Sequence, residues 1–97
     1  MYMTMRHYRM PPARLDEVAR RVDDLWLGKV SALPGFVSYH VFRPADGELV
    51  SISTFMDETT GGVAGELSAE WVGQYLQDVD IEFLEMHQGP VIIHGGV

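Results

Sequence analysis

Hydrophobic and polar residues follow two different periods along the chain, and the changes of period divide it into six elements. Residues 2–10 mix β-forming residues with long polar side chains, which predicts a strand. Residues 36–43 and 48–56 predict two more strands. The Pro-Ala-Asp-Gly segment at 44–47 joins them as a turn, since Asp-Gly is a strong hairpin signal.

Two segments carry apolar residues three or four positions apart, which predicts helices. The first follows Pro11-Pro12, because proline suits a first helical turn, and ends at Leu33-Pro34-Gly35, where glycine suits a left-handed cap. The second is predicted within 63–78, after a loop or weakly started helix at 57–65. Its Gly65 and Gly73 each weaken it by about 1 kcal/mol relative to alanine. The two apolar stripes are Leu15, Val18, Val22, Leu25, Trp26, Val30 and Leu33, then Leu67, Trp71, Val72, Tyr75, Leu76 and Val79.

Apolar residues return after the second helix, between Ile81 and His94, with an interruption at Gly89-Pro90 that is typical of a bulge or a strand edge. The predicted order is therefore βαββαβ, within a single domain of 97 residues. With right-handed crossovers, this order predicts a ferredoxin-like α+β fold. We expect a four-stranded antiparallel sheet with both helices on one face.

Both faces of the predicted hairpin need a cover. If its loop holds two or four residues, one face carries Val37, Tyr39, Val41, Val50, Ile52, Thr54 and Met56. The other carries Phe36, Ser38, His40, Phe42, Leu49, Ser51, Ser53 and Phe55. Neither set is polar enough to prefer water, and one chain of this length supplies only one helix layer. We therefore expect a homodimer in which a second copy covers the open sheet face.

The amino-acid composition argues against several classes of function. The chain has no cysteine, which excludes disulfides, thiolate metal sites and cysteine nucleophiles. This fits a cytoplasmic protein. The first residues lack the pattern of a signal peptide, so no leader segment is expected. The longest apolar run, residues 91–93, is too short to span a bilayer, so no membrane role is expected. The net charge of −7 disfavours nucleic acid as a partner.

Charge is unevenly distributed: all seven basic residues lie in residues 1–50, while residues 51–97 carry eight acidic ones. If the first and last strands are neighbours, Arg6 and Arg9 could pair with Glu82 and Glu85. Alternatively, the acidic residues only keep the surface solvated.

Several short motifs resemble the antibiotic-biosynthesis-monooxygenase superfamily. They are the Leu-Pro-Gly-Phe-Val-Ser-Tyr segment at 33–39, the Asp46-Gly47 hairpin, and Ala-Glu-Trp-Val at 69–72. Arg-His-Tyr-Arg at 6–9 and Gly-Pro-Val-Ile-Ile-His at 89–94 resemble a small branch of it. The resemblance implies a dimeric α/β barrel, in which two ferredoxin-like chains join sheet to sheet and each holds a small cavity.

The same resemblance implies three kinds of function: oxidation of quinol-type aromatics without metal or flavin, haem degradation, or no catalytic activity. Several members of the superfamily rely on a cavity asparagine, and this chain contains no asparagine. The haem-degrading members use a histidine shortly after the helix tryptophan, whereas no histidine follows Trp71 until His87. Haem degradation is therefore disfavoured, and no cofactor is expected.

Four residues are candidates for a site. Trp71 matches the superfamily's helix tryptophan and could form a flat wall for an aromatic ligand, or it could be ordinary core. Tyr39 and Tyr75 could add phenol hydroxyls to the same space, or they too could be core. His40 could act as a general base near neutral pH, or it could be a hydrogen-bonded histidine at the dimer interface.

Other chemistry finds little support in the sequence. The spacing of His7, His87 and His94 matches no metal-ligand pattern, so no metal site is expected. The Gly-Gly pairs at 61–62 and 95–96 lack the context of a phosphate loop. Two hypotheses stay open: a cofactor-free monooxygenase acting on a small aromatic or polyketide-like compound, and a non-catalytic dimer that binds a small ligand or acts as an accessory protein. A solvent-connected cavity of about 300 Å³ or more beside Trp71 would favour ligand binding.

Overall fold

The computed structural model describes residues 1–96 and contains the four strands and two helices that the sequence predicts. The strands are β1 (Tyr2–Arg9), β2 (Phe36–Phe42), β3 (Glu48–Phe55) and β4 (Glu82–Pro90). They form one antiparallel sheet in the order β2-β3-β1-β4, so β2 and β4 are its edges. This topology confirms the predicted ferredoxin-like α+β fold class. The domain assignment 1–97 stays a prediction, and its last residue lies outside the described part.

The first helix, α1, is continuous, but the number of residues per turn changes along it. It comprises a 3₁₀ turn at Pro12–Arg14, α-helical segments at Leu15–Arg21 and Leu27–Ser31, and a π-helical turn at Val22–Trp26 between them. Its buried residues Val18, Trp26 and Val30, with the half-buried Val22, recur every four positions. At 3.6 residues per turn, each such step rotates the side chain about 40° further. The wider π turn takes up part of that drift and keeps Trp26 in the core.

The second helix, α2 (Glu58–Tyr75), begins five residues earlier than the predicted start at 63. The earlier start is explained by Asp57 at the N-cap. Its carboxylate accepts a 2.9 Å hydrogen bond from the Thr60 backbone N–H, as part of a capping box. Two glycines of α2, Gly61 and Gly65, allow the helix to pack closely on β1. A Cβ atom at Gly61 would lie 3.0 Å from the Tyr2 ring, and one at Gly65 would lie 2.7 Å from the Arg6 guanidinium.

The predicted pairing of the hairpin faces is wrong by one residue. In the structure, Phe42 pairs with Val50 and His40 with Ile52, so the connection between β2 and β3 holds five residues, 43–47. The turn has this length because it is tied to the end of β1: Met10 donates its backbone N–H to the Gly47 carbonyl at 2.7 Å. Gly47 has φ +73, and a Cβ atom there would lie 2.6 Å from the Met10 carbonyl oxygen.

The corrected register decides which residues face the helices. Tyr39 and Val41 lie opposite Ser53 and Ser51 on the helix side of the sheet. The other face, which we call the open face, carries residues from all four strands. They include Met3, Met5, His7, Arg9, Ser38, His40, Phe42, Glu48, Val50, Ile52, Thr54, Glu85 and His87.

The predicted charge pairs between the first and last strands are half correct. Arg9 lies 3.3 Å from Glu82 across β1 and β4, as expected. Arg6 does not meet Glu85, because alternation along β1 turns Arg6 towards the helices. Glu85 instead contacts His7 at 3.4 Å and His87 at 3.2 Å on the open face.

The core lies between the helices and the inner face of the sheet. Phe55, Val18 and Val30 are its most completely buried large side chains. No helix in residues 1–96 is long and apolar enough to cross a membrane.

Candidate functional site

A small cavity of about 40 Å³ lies in the core, between the sheet and the two helices. It has room for about one or two water-sized molecules. Its lining combines aliphatic and aromatic side chains with a few hydroxyls: Tyr8, Met10, Val18, Val22, Trp26, Tyr39, Val41, Leu49, Ser51, Ser68, Trp71, Val72, Leu76 and Ile81. This volume is far below the ~300 Å³ of a small-molecule pocket. The cavity alone therefore accommodates a diatomic gas or water, and not an aromatic ligand.

Two tryptophans, one from each helix, form the helix-side wall of the cavity. Trp26 and Trp71 are 3% and 4% exposed, and their ring centroids lie 5.8 Å apart. The π turn of α1 brings Trp26 to this position, and the apolar stripe of α2 brings Trp71. Contact between two aromatic rings stabilises a core beyond the gain from burying each ring separately.

Two tyrosines from the sheet supply the main polar groups of the cavity. Burial, with a smaller contribution from the neighbouring Tyr8, raises the pKa of Tyr39 to about 12, although the Trp26 indole, the Arg6 charge and the Ser51 hydroxyl oppose that effect. Burial also raises the pKa of Tyr8, against the opposing charge of Arg6 and the nearby Ser68 hydroxyl. Both phenols are therefore protonated at neutral pH, which makes them hydrogen-bond donors and not bases.

A much larger cleft of about 580 Å³ lies directly beside the cavity, between α1 and the edge strand β2. The cleft and the cavity share four lining residues, Val22, Tyr39, Val41 and Leu49. The cleft also has charged groups, the carboxylates of Asp16 and Asp23 and the guanidinium of Arg43. The combined space has the size of a ligand pocket, with the two tryptophans at its inner end.

The structure brings two of the four predicted site residues together. Tyr39 and Trp71 both line the cavity. Tyr75 is outside its lining: its ring stacks on Trp71 with a centroid distance of 5.6 Å, and the side chain is exposed. His40 is separated from all three, because it points from the open face of the sheet, opposite the cavity. The predicted grouping of His40 with Tyr39 and Trp71 is therefore wrong, because neighbouring residues of a strand point to opposite faces of the sheet.

Sequence reasoning missed four residues around the cavity. Trp26 was assigned to the apolar stripe of α1 without a role, and Tyr8, Ser51 and Ser68 were given none. The position of Tyr8 could have been inferred from the alternation along β1, because every second residue from Tyr2 to Tyr8 lies on one face of that strand. The positions of Ser51 and Ser68 depend on the hairpin register and on the packing of α2, which the sequence pattern leaves open.

Two histidines on the open face, His7 and His87, contact carboxylates. His7 contacts Glu48 at 2.5 Å through Nε2 and Glu85 at 3.4 Å through Nδ1. His87 contacts Glu85 at 3.2 Å. Within residues 1–96, no group of three or more potential ligands is placed to hold a metal ion.

Comparison with known proteins gives a match in structure only. No protein-family model matches the chain, and no curated protein matches its sequence. Solved structures match over nearly the whole chain. SnoaB from Streptomyces nogalater, a cofactor-independent oxygenase, is 18% identical with a TM-score of 0.65, and the match covers 96% of this chain and 94% of SnoaB. A dimeric ferredoxin-like protein from an uncultured marine organism is 10% identical with a TM-score of 0.77, covering 99% and 98%.

A third structure shows what a related fold can hold. A mutant of MhuD, with two manganese protoporphyrin IX molecules bound per active site, is 15% identical with a TM-score of 0.79, and both chains are covered completely. At these identities the likeness shows the fold alone. The fold that these structures share with this chain is the ferredoxin-like fold that the sequence predicts.

Proposed function

We propose that this chain is a cofactor-independent monooxygenase-like protein that acts on a small aromatic or polyketide-like compound. The observation that carries the proposal is a pair of adjacent spaces on the helix side of the sheet. One is a gas-sized cavity walled by two tryptophans, and the other is a cleft of about 580 Å³ that shares Tyr39 with it. The fold that the chain shares with a cofactor-independent oxygenase adds support.

The two spaces suit the two reactants of such a reaction. A small cavity lined mainly by apolar groups favours molecular oxygen, while the cleft has room for an aromatic substrate. In the proposed reaction, a methylene carbon of the substrate becomes a carbonyl. One atom of O₂ forms the new C=O bond, and the other leaves as water with the two hydrogens from that carbon. The substrate itself supplies the electrons, so the reaction needs no external reductant.

Phenol donors would stabilise the substrate anion that reacts with oxygen. Tyr8 and Tyr39 are protonated donors in a space largely shielded from water, where hydrogen bonds to a developing anion have their greatest effect. Among residues 1–96, no carboxylate or imidazole lines the cavity. We therefore propose a substrate whose reacting methylene group ionises easily, such as an anthrone, in place of one that needs a strong protein base.

A second candidate function is non-catalytic binding of a small ligand by a dimeric accessory protein. The small size of the cavity and the absence of a base from its lining favour this candidate. The two candidates differ in one measurable outcome, which is the consumption of oxygen.

The test is oxygen uptake with a panel of anthrones, compared with hydroquinones that lack the reacting methylene group, and each rate is corrected for uncatalysed oxidation. The monooxygenase proposal expects uptake that depends on the protein and falls at least about tenfold in Tyr39→Phe, which removes one donor to the anion. Trp71→Phe should also lower the rate, because the smaller ring reshapes the oxygen cavity. His40→Ala is the control, since His40 points away from the cavity. Absence of uptake with every compound, together with saturable quenching of tryptophan fluorescence, would favour the binding protein.

We also propose that the protein is a homodimer joined through the open face of the sheet. Exposed apolar side chains on that face support this assembly, among them Met3 and Phe42. The dimeric ferredoxin-like protein of similar fold supports it too. A cytoplasmic location is proposed from the absence of cysteine.

A further inference from the structure

Arg6 is the half-buried cation for which the fold provides no anion. It lies on the helix side of β1, next to Tyr8 on the same face and opposite Ser51 of β3 and Met86 of β4. Among residues 1–96, no carboxylate lies within 4.0 Å of its guanidinium, and no side-chain hydrogen bond involves it. A partly buried charge with unused donors costs stability unless something binds to it.

The other Arg residues and the lysine either form ion pairs or are exposed. Arg9, Arg14 and Arg21 form ion pairs with Glu82, Glu17 and Asp78. Arg20, Lys29 and Arg43 are exposed. Arg6 is thus the exception within the part of the chain that the structure describes.

The helix above Arg6 leaves room for its guanidinium. A Cβ atom at Gly65 would lie only 2.7 Å from a terminal nitrogen of Arg6. Glycine at this position costs α2 about 1 kcal/mol of helix propensity relative to alanine. In return, the guanidinium can lie close beneath the helix, where its charge also reaches the phenols of Tyr8 and Tyr39.

Apolar side chains flank the cation on the side of the sheet edge. Met86 lies opposite Arg6, and Phe83 packs edge-on against Tyr8 with a centroid distance of 5.4 Å. Phe83 and Met86 are 54% and 41% exposed, so α2 does not cover this part of β4. A cation beside an uncovered apolar surface matches a ligand with one negative charge and a flat apolar body.

We propose that Arg6 is the anion-recognition residue of this chain, and that its ligand is an aromatic anion, a carboxylate or a phenolate, whose ring contacts Phe83 and Met86. Arg6, Phe83 and Met86 line neither the cavity nor the cleft, so this ligand site goes beyond the proposed function. It lies on the same side of the sheet but towards the edge formed by β4. Arg6 would hold the anion through charge-assisted hydrogen bonds, which are the strong ones in proteins.

The test compares naphthoate, an aromatic anion, with naphthamide, its uncharged analogue. Binding is measured by isothermal titration under anaerobic conditions, so that no turnover interferes. The wild-type chain should bind naphthoate about tenfold or more tightly than naphthamide, because a hydrogen bond to a charged group typically contributes that much. Arg6→Met should reduce this ratio to about one, and Arg6→Lys should restore part of it.

Arg9→Met is the matched control, since Arg9 lies on the same strand but points from the opposite face and pairs with Glu82. It should leave the ratio unchanged. Amide chemical shifts should locate the bound naphthoate near Arg6, Phe83 and Met86. Circular dichroism checks that Arg6→Met is folded, and Arg6→Lys keeps the charge if it is not.

Three results would overturn the inference: equal affinity of the wild type for both compounds, an unchanged ratio in folded Arg6→Met, or shifts confined to another surface. The result is separable from the proposed function. An anion preference that depends on Arg6 without oxygen uptake would overturn only the monooxygenase, whereas oxygen uptake without that preference would overturn only the role of Arg6.

Discussion

Gly65 and Gly73 lie on the same helix, but the structure gives them different neighbours. A Cβ atom at Gly65 would meet the Arg6 guanidinium at 2.7 Å, whereas one at Gly73 would meet nothing within 4 Å. The sequence alone treats the two positions alike, as breaks in helix propensity. Only the packing of α2 on β1 shows that one of them makes room for a cation.

Substituting both glycines with alanine tests this difference at the residue scale. Gly73→Ala should raise the free energy of unfolding by about 0.5–1 kcal/mol, because only helix propensity changes. Gly65→Ala gains the same propensity but displaces the flexible end of Arg6. Its stability should therefore change little, while the preference for naphthoate over naphthamide falls. Urea denaturation measures the first quantity and titration the second. Equal stabilisation of both variants with an unchanged preference would contradict the packing described for Arg6.

At the scale of elements, periodicity identified all six correctly, and the errors came from contacts between elements. The stripe of α1 and the glycine cap at Gly35, which has φ +79, are local features and were predicted. The β2–β3 register depends on the bond between Met10 and Gly47, which are distant in sequence. The start of α2 depends on a capping box whose third residue is Thr60, a weaker sequence signal than the usual Glu or Gln. The error in the site has another cause, because His40 and Tyr39 are neighbours on one strand and point to opposite faces in any register.

The end of α2 is tied to α1 by one carboxylate, and this link makes stability depend on pH. Asp78 accepts hydrogen bonds from Arg21 at 2.7 Å and 3.0 Å and from Arg14 at 3.1 Å. These bonds, chiefly those from Arg21, hold the pKa of Asp78 well below its usual range. Because the pKa is lower in the folded state, the link stabilises the protein above the unfolded-state value of about 3.9 and is lost as the pH falls below it.

Asp78→Asn should therefore lower the melting temperature at neutral pH and reduce its dependence on pH between about pH 5 and pH 2. Asp80→Asn is the control, an exposed acid two residues away. Thermal denaturation followed by circular dichroism at several pH values measures both effects. If the two variants have the same melting curves at every pH, the bridge between the helices contributes nothing to stability.

At the scale of the whole molecule, the helix layer covers only one face of the sheet. The open face carries apolar side chains such as Phe42 and Met3 together with the charged cluster of His7, Glu48 and Glu85. A domain of this size buries a limited share of its surface and gains stability by association. His7 contacts Glu48 and Glu85 within one chain, so these polar groups have partners before a second copy covers the open face.

Phe42→Asp tests this assembly, with Val63→Asp as a control of equal exposure. Both side chains are 50% exposed, but Phe42 points from the open face and Val63 lies on α2. Light scattering at micromolar concentration should give the wild type about 22 kDa, twice the 10.9 kDa of one chain. Phe42→Asp should give the mass of one chain, because a carboxylate in the interface would lose its hydration without gaining a partner. Val63→Asp should stay dimeric, since α2 lies on the far side of the sheet. A wild-type mass of one chain would contradict pairing through the open face, and dissociation of Val63→Asp alone would move the interface to the helices.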